Sequence, residues 1–297
     1  MDTPSKPEWL RIRPPTTEQF DWIRRQVAHQ SLHTVCQEAH CPNMTECWSA
    51  GTATFMVLGD TCTRGCRFCA VKTGRKGLSV DPFEPEKLAA TVTRMNLRYV
   101  VITSVDRDDL PDQGAHHFAA CVSAIKQKSP ATIVEVLTPD FGGDESLTEI
   151  VANSGCEVFG HNIETVRRLQ SGVRDRRAHY DQSLRVLLTA KKKNPDLYTK
   201  SGLMLGLGEK TKEVEETFDD LLHNKVSFLS LGQYLAPSQN HLPVFRFVPP
   251  AEFSELKSKA ISKGFLFCQS GPLVRSSYKA GEFFFSSEPI RKSQQSF

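Results

Sequence analysis

No stretch of this chain approaches the roughly 20 consecutive apolar residues that a membrane-spanning helix needs. The first residues, MDTPSKPEWLRIRPP, lack the apolar core of a secretion signal, and Asp2 and Glu8 argue against an acid-poor transit peptide. These absences lead to the expectation of a cytoplasmic protein with no membrane association. An excess of one charge is missing too: 37 lysines and arginines face 34 acids, a net charge of +3. So slight a balance argues against nucleic acid as a partner. A length of 297 residues, 39% hydrophobic and 24% charged, fits one large α/β domain with extensions or two ordinary domains. Such a chain buries a substantial core without needing covalent cross-links.

What the chain does have is cysteine, nine in all, and six of them fall between Cys36 and Cys69. They form two triplets, Cys36-x4-Cys41-x5-Cys47 and Cys62-x3-Cys66-x2-Cys69, separated by the mostly apolar WSAGTATFMVLGDT. Disulfides are disfavoured by the missing export signal and by the length. Zinc favours four ligands from paired C-x2-C knuckles, and only Cys66 and Cys69 make such a pair. Iron–sulfur clusters remain: a thiolate triplet leaves one iron of a cubane open or served from elsewhere. Cys121, Cys156 and Cys268, in apolar or helical settings, read as core thiols.

Apolar, β-branched runs at TFMVLG, RYVVITS, TIVEVLT, CEVFGHN, SGLMLG and FLSLGQY have the length of buried parallel strands. Helical stretches lie between them, namely PEKLAATVTRMN, QGAHHFAACVSAIKQKS, DESLTEIVANSG, AHYDQSLRVLLTAKKKN and TKEVEETFDDLLHN, with Asp144 as an N-cap and Gly155 just past a helix end. This alternation predicts an α/β fold with right-handed crossovers. Six units in place of eight predict an incomplete (β/α)6 TIM-like barrel. In such barrels the chemistry sits at the C-terminal ends of the strands, and CTRGCRFC directly follows the first one.

CTRGCRFC, with Phe68 just before the last cysteine, resembles the cluster loop of radical S-adenosylmethionine enzymes. The resemblance implies that Cys62, Cys66 and Cys69 hold a 4Fe-4S cluster whose fourth iron chelates S-adenosylmethionine. The second triplet, in CQEAHCPNMTECW, resembles the auxiliary-cluster site of lipoyl synthases. KPEWLR, TSVDRDDLPDQGAHHF, EVLTPDF, DQSLRVL, SGLMLGLGE, QYLAPSQNHLPVFRFV and GPLVRSSYKAGEFF are similar to blocks of that family, in the same order. In the family's R-S-S-Y motif a serine is the fourth ligand of the auxiliary cluster. Here Ser277 of Arg275-Ser276-Ser277-Tyr278 matches it, giving an auxiliary 4Fe-4S site of Cys36, Cys41, Cys47 and Ser277. An oxygen ligand binds iron more labilely than thiolate does, which suits a cluster that must come apart.

The resemblance further implies radical insertion of two sulfur atoms into the sixth and eighth carbons of an octanoyl chain. That chain is an amide on a lysine of a lipoyl carrier domain of a 2-oxoacid dehydrogenase or of a glycine-cleavage H protein. Two S-adenosylmethionine molecules are used per lipoyl group, the auxiliary cluster donates the sulfur, and the partners include an electron donor such as ferredoxin or flavodoxin and iron–sulfur assembly proteins. Thr103 and Ser104, ending the second strand, are expected at the methionyl amino group, and Asn162 and Glu164, ending the fourth, at the ribose. Arg177 is expected to pair with the methionyl carboxylate through a bidentate fork. The expected organisation is an N-terminal extension over 1–50 carrying the auxiliary-cluster cysteines, a partial barrel over 51–248, and a C-terminal extension over 249–297 carrying the R-S-S-Y motif. His116 and His117 read as structural, in a helical stretch without partners. Gly160 and Arg167 stand where family members often carry other residues.

Overall fold

The computed structural model describes residues 6–10, 22, 25, 33–38, 41, 43–49, 54–282 and 284. The six apolar runs form strands β1 (Thr54–Val57), β2 (Tyr99–Ser104), β3 (Ile133–Leu137), β4 (Val158–Gly160), β5 (Tyr198–Leu205) and β6 (Phe228–Gln233). Between them lie α1 (Glu84–Arg94), α2 (Ala115–Lys128), α3 (Glu145–Ala152), α4 (Tyr180–Lys193) and α5 (Thr211–His223). The strands pair in parallel in chain order. Asp144 caps α3 as expected, accepting from the Ser146 and Leu147 amides, and Gly155 takes a left-handed φ of +104° past its end.

The sheet extends beyond the six strands that the alternation predicts. After β6 come α6 (Pro250–Lys263) and a seventh parallel strand, β7 (Phe267–Gly271), which pairs with β6. On the other edge His33–Thr34 pairs antiparallel with β1. β1 and β7 stand far apart in the strand order, which makes this a partial barrel. Among the described residues, no helix is long and apolar enough to cross a membrane.

Period-two alternation sorts each strand's residues between helices and interior. Val100 and Ile102 of β2 pack in one core cluster with Leu88, Val92, Phe118 and Val122 of α1 and α2. Leu229 and Leu231 of β6 do the same with Phe218, Phe253 and Leu256 of α5 and α6. On the other face, Tyr99 and Val101 of β2 and Val158, Tyr198 and Phe228 form an interior floor. Above it the buried Lys200 ammonium meets Glu135 at 2.8 and 3.0 Å, and Tyr99 donates to the same carboxylate at 2.6 Å.

The chain after β7 returns across the inner side of the sheet. A Cβ on Gly232 would stand only 2.1 Å from the Val274 carbonyl, so that approach requires glycine. Ala280 and Phe284 then join the floor, the Phe284 ring meeting Tyr198 edge-on at 5.8 Å.

Candidate active site

A cavity of about 560 Å³ opens at the C-terminal ends of the strands. Its wall includes all six clustered cysteines together with Thr103, Ser104, Asn162, Glu164, Ser276 and Ser277. Two triplets that are separate in the sequence thus face one space. The strands supply their inward residues in register: Met56 of β1 lies opposite Thr103 of β2, Gly202 of β5 opposite Ser230 of β6, and all four line the cavity.

The loop bearing Cys62, Cys66 and Cys69 is held by a buried charge cluster. Arg64, inside the loop and 3% exposed, forks onto Asp140 at 2.8 and 2.7 Å and onto Asp108 at 2.8 and 3.1 Å, with Asp106 at 3.3 Å. Thr63 donates to Asp108 at 2.7 Å. The acidic run of TSVDRDD and the aspartate of EVLTPDF are therefore the anchors of the cysteine loop, 44 and 76 residues away in the chain. Desolvation pushes the Asp106 carboxyl up to about 6. Asp140 is also desolvated, yet the hydrogen bond from Arg64 brings it down to about 2.

Two more segments grip the same loop. The Asp175 amide donates to Cys66 Sγ at 3.3 Å, and the Asp175 carboxylate accepts from the Gly65 amide at 2.9 Å. From QYLAPSQNHLPVFRFV, His241 Nε2 donates to the Cys69 carbonyl at 3.0 Å while Ser238 donates to Nδ1 at 2.8 Å. That tautomer follows because a carbonyl oxygen can only accept.

None of the nine cysteines is in a disulfide bond. Desolvation, with contributions from neighbouring cysteines, raises Cys41 and Cys69 to about 11 and Cys47, Cys62 and Cys66 to about 12. Iron binds thiolate, so loading either triplet would displace the protons that burial holds on these thiols.

Polar groups without partners mark where a ligand fits. Ser104 Oγ and Arg174 Nε are buried with no hydrogen-bond partner among the described residues, and both residues line the cavity. Burying such atoms unpaired is costly, so their presence here fits a zwitterionic methionyl group as the missing partner. Arg174 is held in place by donating from Nη1 to Ser183 Oγ at 2.7 Å; Ser183 in turn donates to His161 Nε2 at 2.9 Å, and His161 Nδ1 donates to the Thr138 carbonyl at 2.9 Å. Burial, with the Arg174 charge adding to it, lowers His161 to about 4 and keeps it neutral.

Arg177, expected at the methionyl carboxylate, is not among the lining residues. Its guanidinium contacts Asp175 at 2.9 Å and the Thr63 carbonyl at 2.7 Å, with Asp108 at 3.3 Å, bracing the cysteine loop from outside. Of the arginines in VRDRR it is Arg174, three residues earlier, that lines the cavity. Glu164 takes a left-handed φ of +66°, a strained state for a side-chain-bearing residue, and desolvation raises its carboxyl. Thr103 donates to the Leu137 carbonyl at 2.8 Å, leaving its neighbour Ser104 as the unpaired hydroxyl.

Cys36, Cys41 and Cys47 belong to a segment containing the short helices Val35–Glu38 and Met44–Ser49. It is stitched to the C-terminal motif across more than 200 residues: Asn43 Nδ2 donates to the Leu273 carbonyl at 2.5 Å, and Tyr278 donates to Glu46. The stitch brings Ser277 to the same cavity as the triplet.

Other sequence features have structural roles. His116 and His117 do have partners, Asp112 at 3.0 Å and Glu84 at 2.7 Å. Glu84, His117 and Cys121 come within 4.8 Å of one another. Ligand atoms of a tetrahedral ion stand roughly 3.4 Å apart. The 2.7 Å approach of Glu84 and His117 is therefore a hydrogen bond, and Glu84 also accepts the Leu58 amide at 3.0 Å. Cys121, Cys156 and Cys268 are core thiols as expected. Arg167 stacks on Tyr180 at 4.2 Å and pairs with Asp181.

Residues 56–221 match the model of the Radical SAM superfamily. The lipoyl synthase of Halorhodospira halophila is 58% identical over 275 residues, covering 93% of this chain and 82% of that protein. That of Marinobacter nauticus is 57% identical over 279 residues, covering 94% and 80%. Among solved structures, methylornithine synthase superposes with a TM-score of 0.54 at 14% identity, over 71% of this chain and 61% of that one. The FeFe-hydrogenase maturase HydG from Carboxydothermus hydrogenoformans does so with 0.53 at 12%, over 83% and 63%. These two likenesses concern the fold. Superfamily membership brings with it a 4Fe-4S cluster and S-adenosylmethionine. With such identity over nearly its full length, the chain belongs to the lipoyl synthase family of radical S-adenosylmethionine sulfurtransferases.

Proposed function

We propose that this protein inserts two sulfur atoms into the sixth and eighth carbons of an octanoyl chain carried on a lysine of a lipoyl carrier domain or a glycine-cleavage H protein. The observation that carries the reading is the single cavity whose wall holds both cysteine triplets and Ser277. In this reading Cys62, Cys66 and Cys69 hold the radical-generating cluster, and Cys36, Cys41, Cys47 and Ser277 hold a second one. When bound, the first cluster with S-adenosylmethionine supplies hydrogen-atom abstraction from unactivated methylenes, and the second supplies sulfur.

The chain's own residues position the reactants. Ser104 Oγ and Arg174 Nε serve the methionyl amino and carboxylate groups, with Arg174 fixed by Ser183 and His161. Thr103, Asn162 and Glu164 complete the cofactor wall. The apolar side of the cavity, including Met56, Leu137, Met204 and Leu235, suits an acyl chain and excludes water from it. Functionally, 1–50 and 249–297 are the parts that build the second site on the barrel of 51–248, with α6 and β7 extending its sheet. A low-potential donor such as ferredoxin or flavodoxin and iron–sulfur assembly proteins complete the proposed partners.

Single-turnover mass spectrometry tests this. Protein reconstituted anaerobically is mixed with S-adenosylmethionine, dithionite and an octanoyl-lysine carrier peptide. The expected product gains two sulfurs, with 5′-deoxyadenosine formed alongside. Deoxyadenosine without sulfur insertion overturns the substrate assignment while leaving the radical chemistry in place.

A further inference from the structure

The C-terminal serine pair is held from both flanks by residues that neighbour the cysteines of the second triplet. Before the serines, Asn43, between Cys41 and Cys47, donates to the Leu273 carbonyl. After them, the Tyr278 hydroxyl donates to Glu46, 3.1 and 3.0 Å from its two carboxylate oxygens, and Lys279 Nζ stands 3.3 Å from Oε1. Glu46 directly precedes Cys47, and Tyr278 directly follows Ser277.

The two stitches differ in kind. Asn43 is buried at 4% exposure and grips backbone, whereas the Glu46 contacts are solvent-exposed and converge on one carboxylate. Exposed pairs are weak and open readily. Lys279 adds strain to the closed form, since its φ of +49° is the left-handed region that side-chain-bearing residues avoid. Its ammonium lies 5.3 Å from the Tyr278 ring, so one exposed carboxylate organises both residues.

We propose that Glu46, acting through Tyr278 and Lys279, is the positioning residue that keeps Ser277 on the Cys36/Cys41/Cys47 site, and that this latch opens when Ser277 leaves. The inference rests on the reading of that site as a second cluster. Glu46 touches no reactant in this scheme. It sets how long the oxygen ligand stays, and so how readily one corner of the cluster loses its iron.

The test uses the full chain with Cys62, Cys66 and Cys69 changed to alanine, so that only the second site is loaded with iron and sulfide. Loaded protein is mixed anaerobically with a ferrous-iron chelator and release is followed by absorbance. Tyr278→Phe and Glu46→Ala are each expected to speed release about two- to fivefold, as for loss of an exposed charged contact. The double variant is expected to behave like Glu46→Ala alone, with the initial absorption spectrum unchanged throughout. In a Ser277→Cys background, where a thiolate replaces the labile ligand, the acceleration disappears. Tyr278→Phe removes a single hydroxyl and keeps the test valid if Glu46→Ala folds poorly. Parental release rates in both variants overturn the latch, as does an acceleration that survives Ser277→Cys. A parent that takes up no iron–sulfur chromophore removes the second-cluster reading and the latch with it, whereas a coloured parent with insensitive variants removes the latch alone.

Discussion

Replacing Arg64 by methionine leaves Asp106, Asp108 and Asp140 without the guanidinium they share. Removing one partner of a buried ion cluster costs roughly 3–5 kcal/mol, so Arg64→Met is expected to lower the urea midpoint of the apoprotein by an amount corresponding to that loss. A change below about 1 kcal/mol would mean that the carboxylates rearrange to meet water. His161 gives a pH signature. Its folded value of about 4 lies below the ordinary 6.5, so between these values the unfolded chain takes up a proton that the folded protein refuses. Stability is fully present above pH 6.5 and falls by up to about 3 kcal/mol on acidification to pH 4. Denaturation of the parent and of His161→Gln at pH 7.5 and 4.5 checks this, with a shallower loss expected in the variant. At this scale the cysteines were legible because their spacing is local, all three of one loop falling within eight residues. Arg64 with Asp140, and Arg174 in preference to Arg177, were not. Pairing across 76 residues leaves no local periodicity, and VRDRR does not show which guanidinium faces inward.

Among the elements, the approach of the C-terminal segment to β6 is the most exacting. Gly232→Ala places a methyl group 2.1 Å from the Val274 carbonyl, which forces the segment bearing Ser277 away from the sheet. The expected outcome is selective: iron and sulfide bound by the Cys36/Cys41/Cys47 site fall while the Cys62/Cys66/Cys69 site still loads, as measured by metal analysis in backgrounds lacking one triplet or the other. Equal loss at both sites would show that the barrel itself has been damaged. Six strands and five helices stood out in the sequence because fully buried parallel strands read as continuous apolar runs. β7 did not: within Phe267–Gly271 only Cys268 is buried, so the run carries no such signature. It is a strand because β6 offers it an edge.

For the molecule as a whole, the interior is divided between a reactive upper part and an aromatic floor. Phe284, 7% exposed, reaches that floor from beyond the motif that carries Ser277. Truncating a buried phenylalanine costs roughly 3–5 kcal/mol. Phe284→Ala is therefore expected to destabilise the apoprotein by that order in a denaturant titration, and a loss below about 1 kcal/mol would show that the floor closes without it. The partial barrel and the position of the first cysteine loop were readable from alternation and strand order, while the meeting of the two triplets was reached only through family likeness, since nothing local links Asn43 to Leu273. That meeting also orders the protein's synthesis. On a ribosome the CTRGCRFC loop emerges with all three of its thiols at once, followed soon after by the strand and acidic run that brace it. On the proposed reading the other site waits until more than 200 further residues have been translated, β2 to β7 among them. Although Cys36, Cys41 and Cys47 emerge first of all, on that reading only a chain finished through Ser277 holds the full ligand set of the second site.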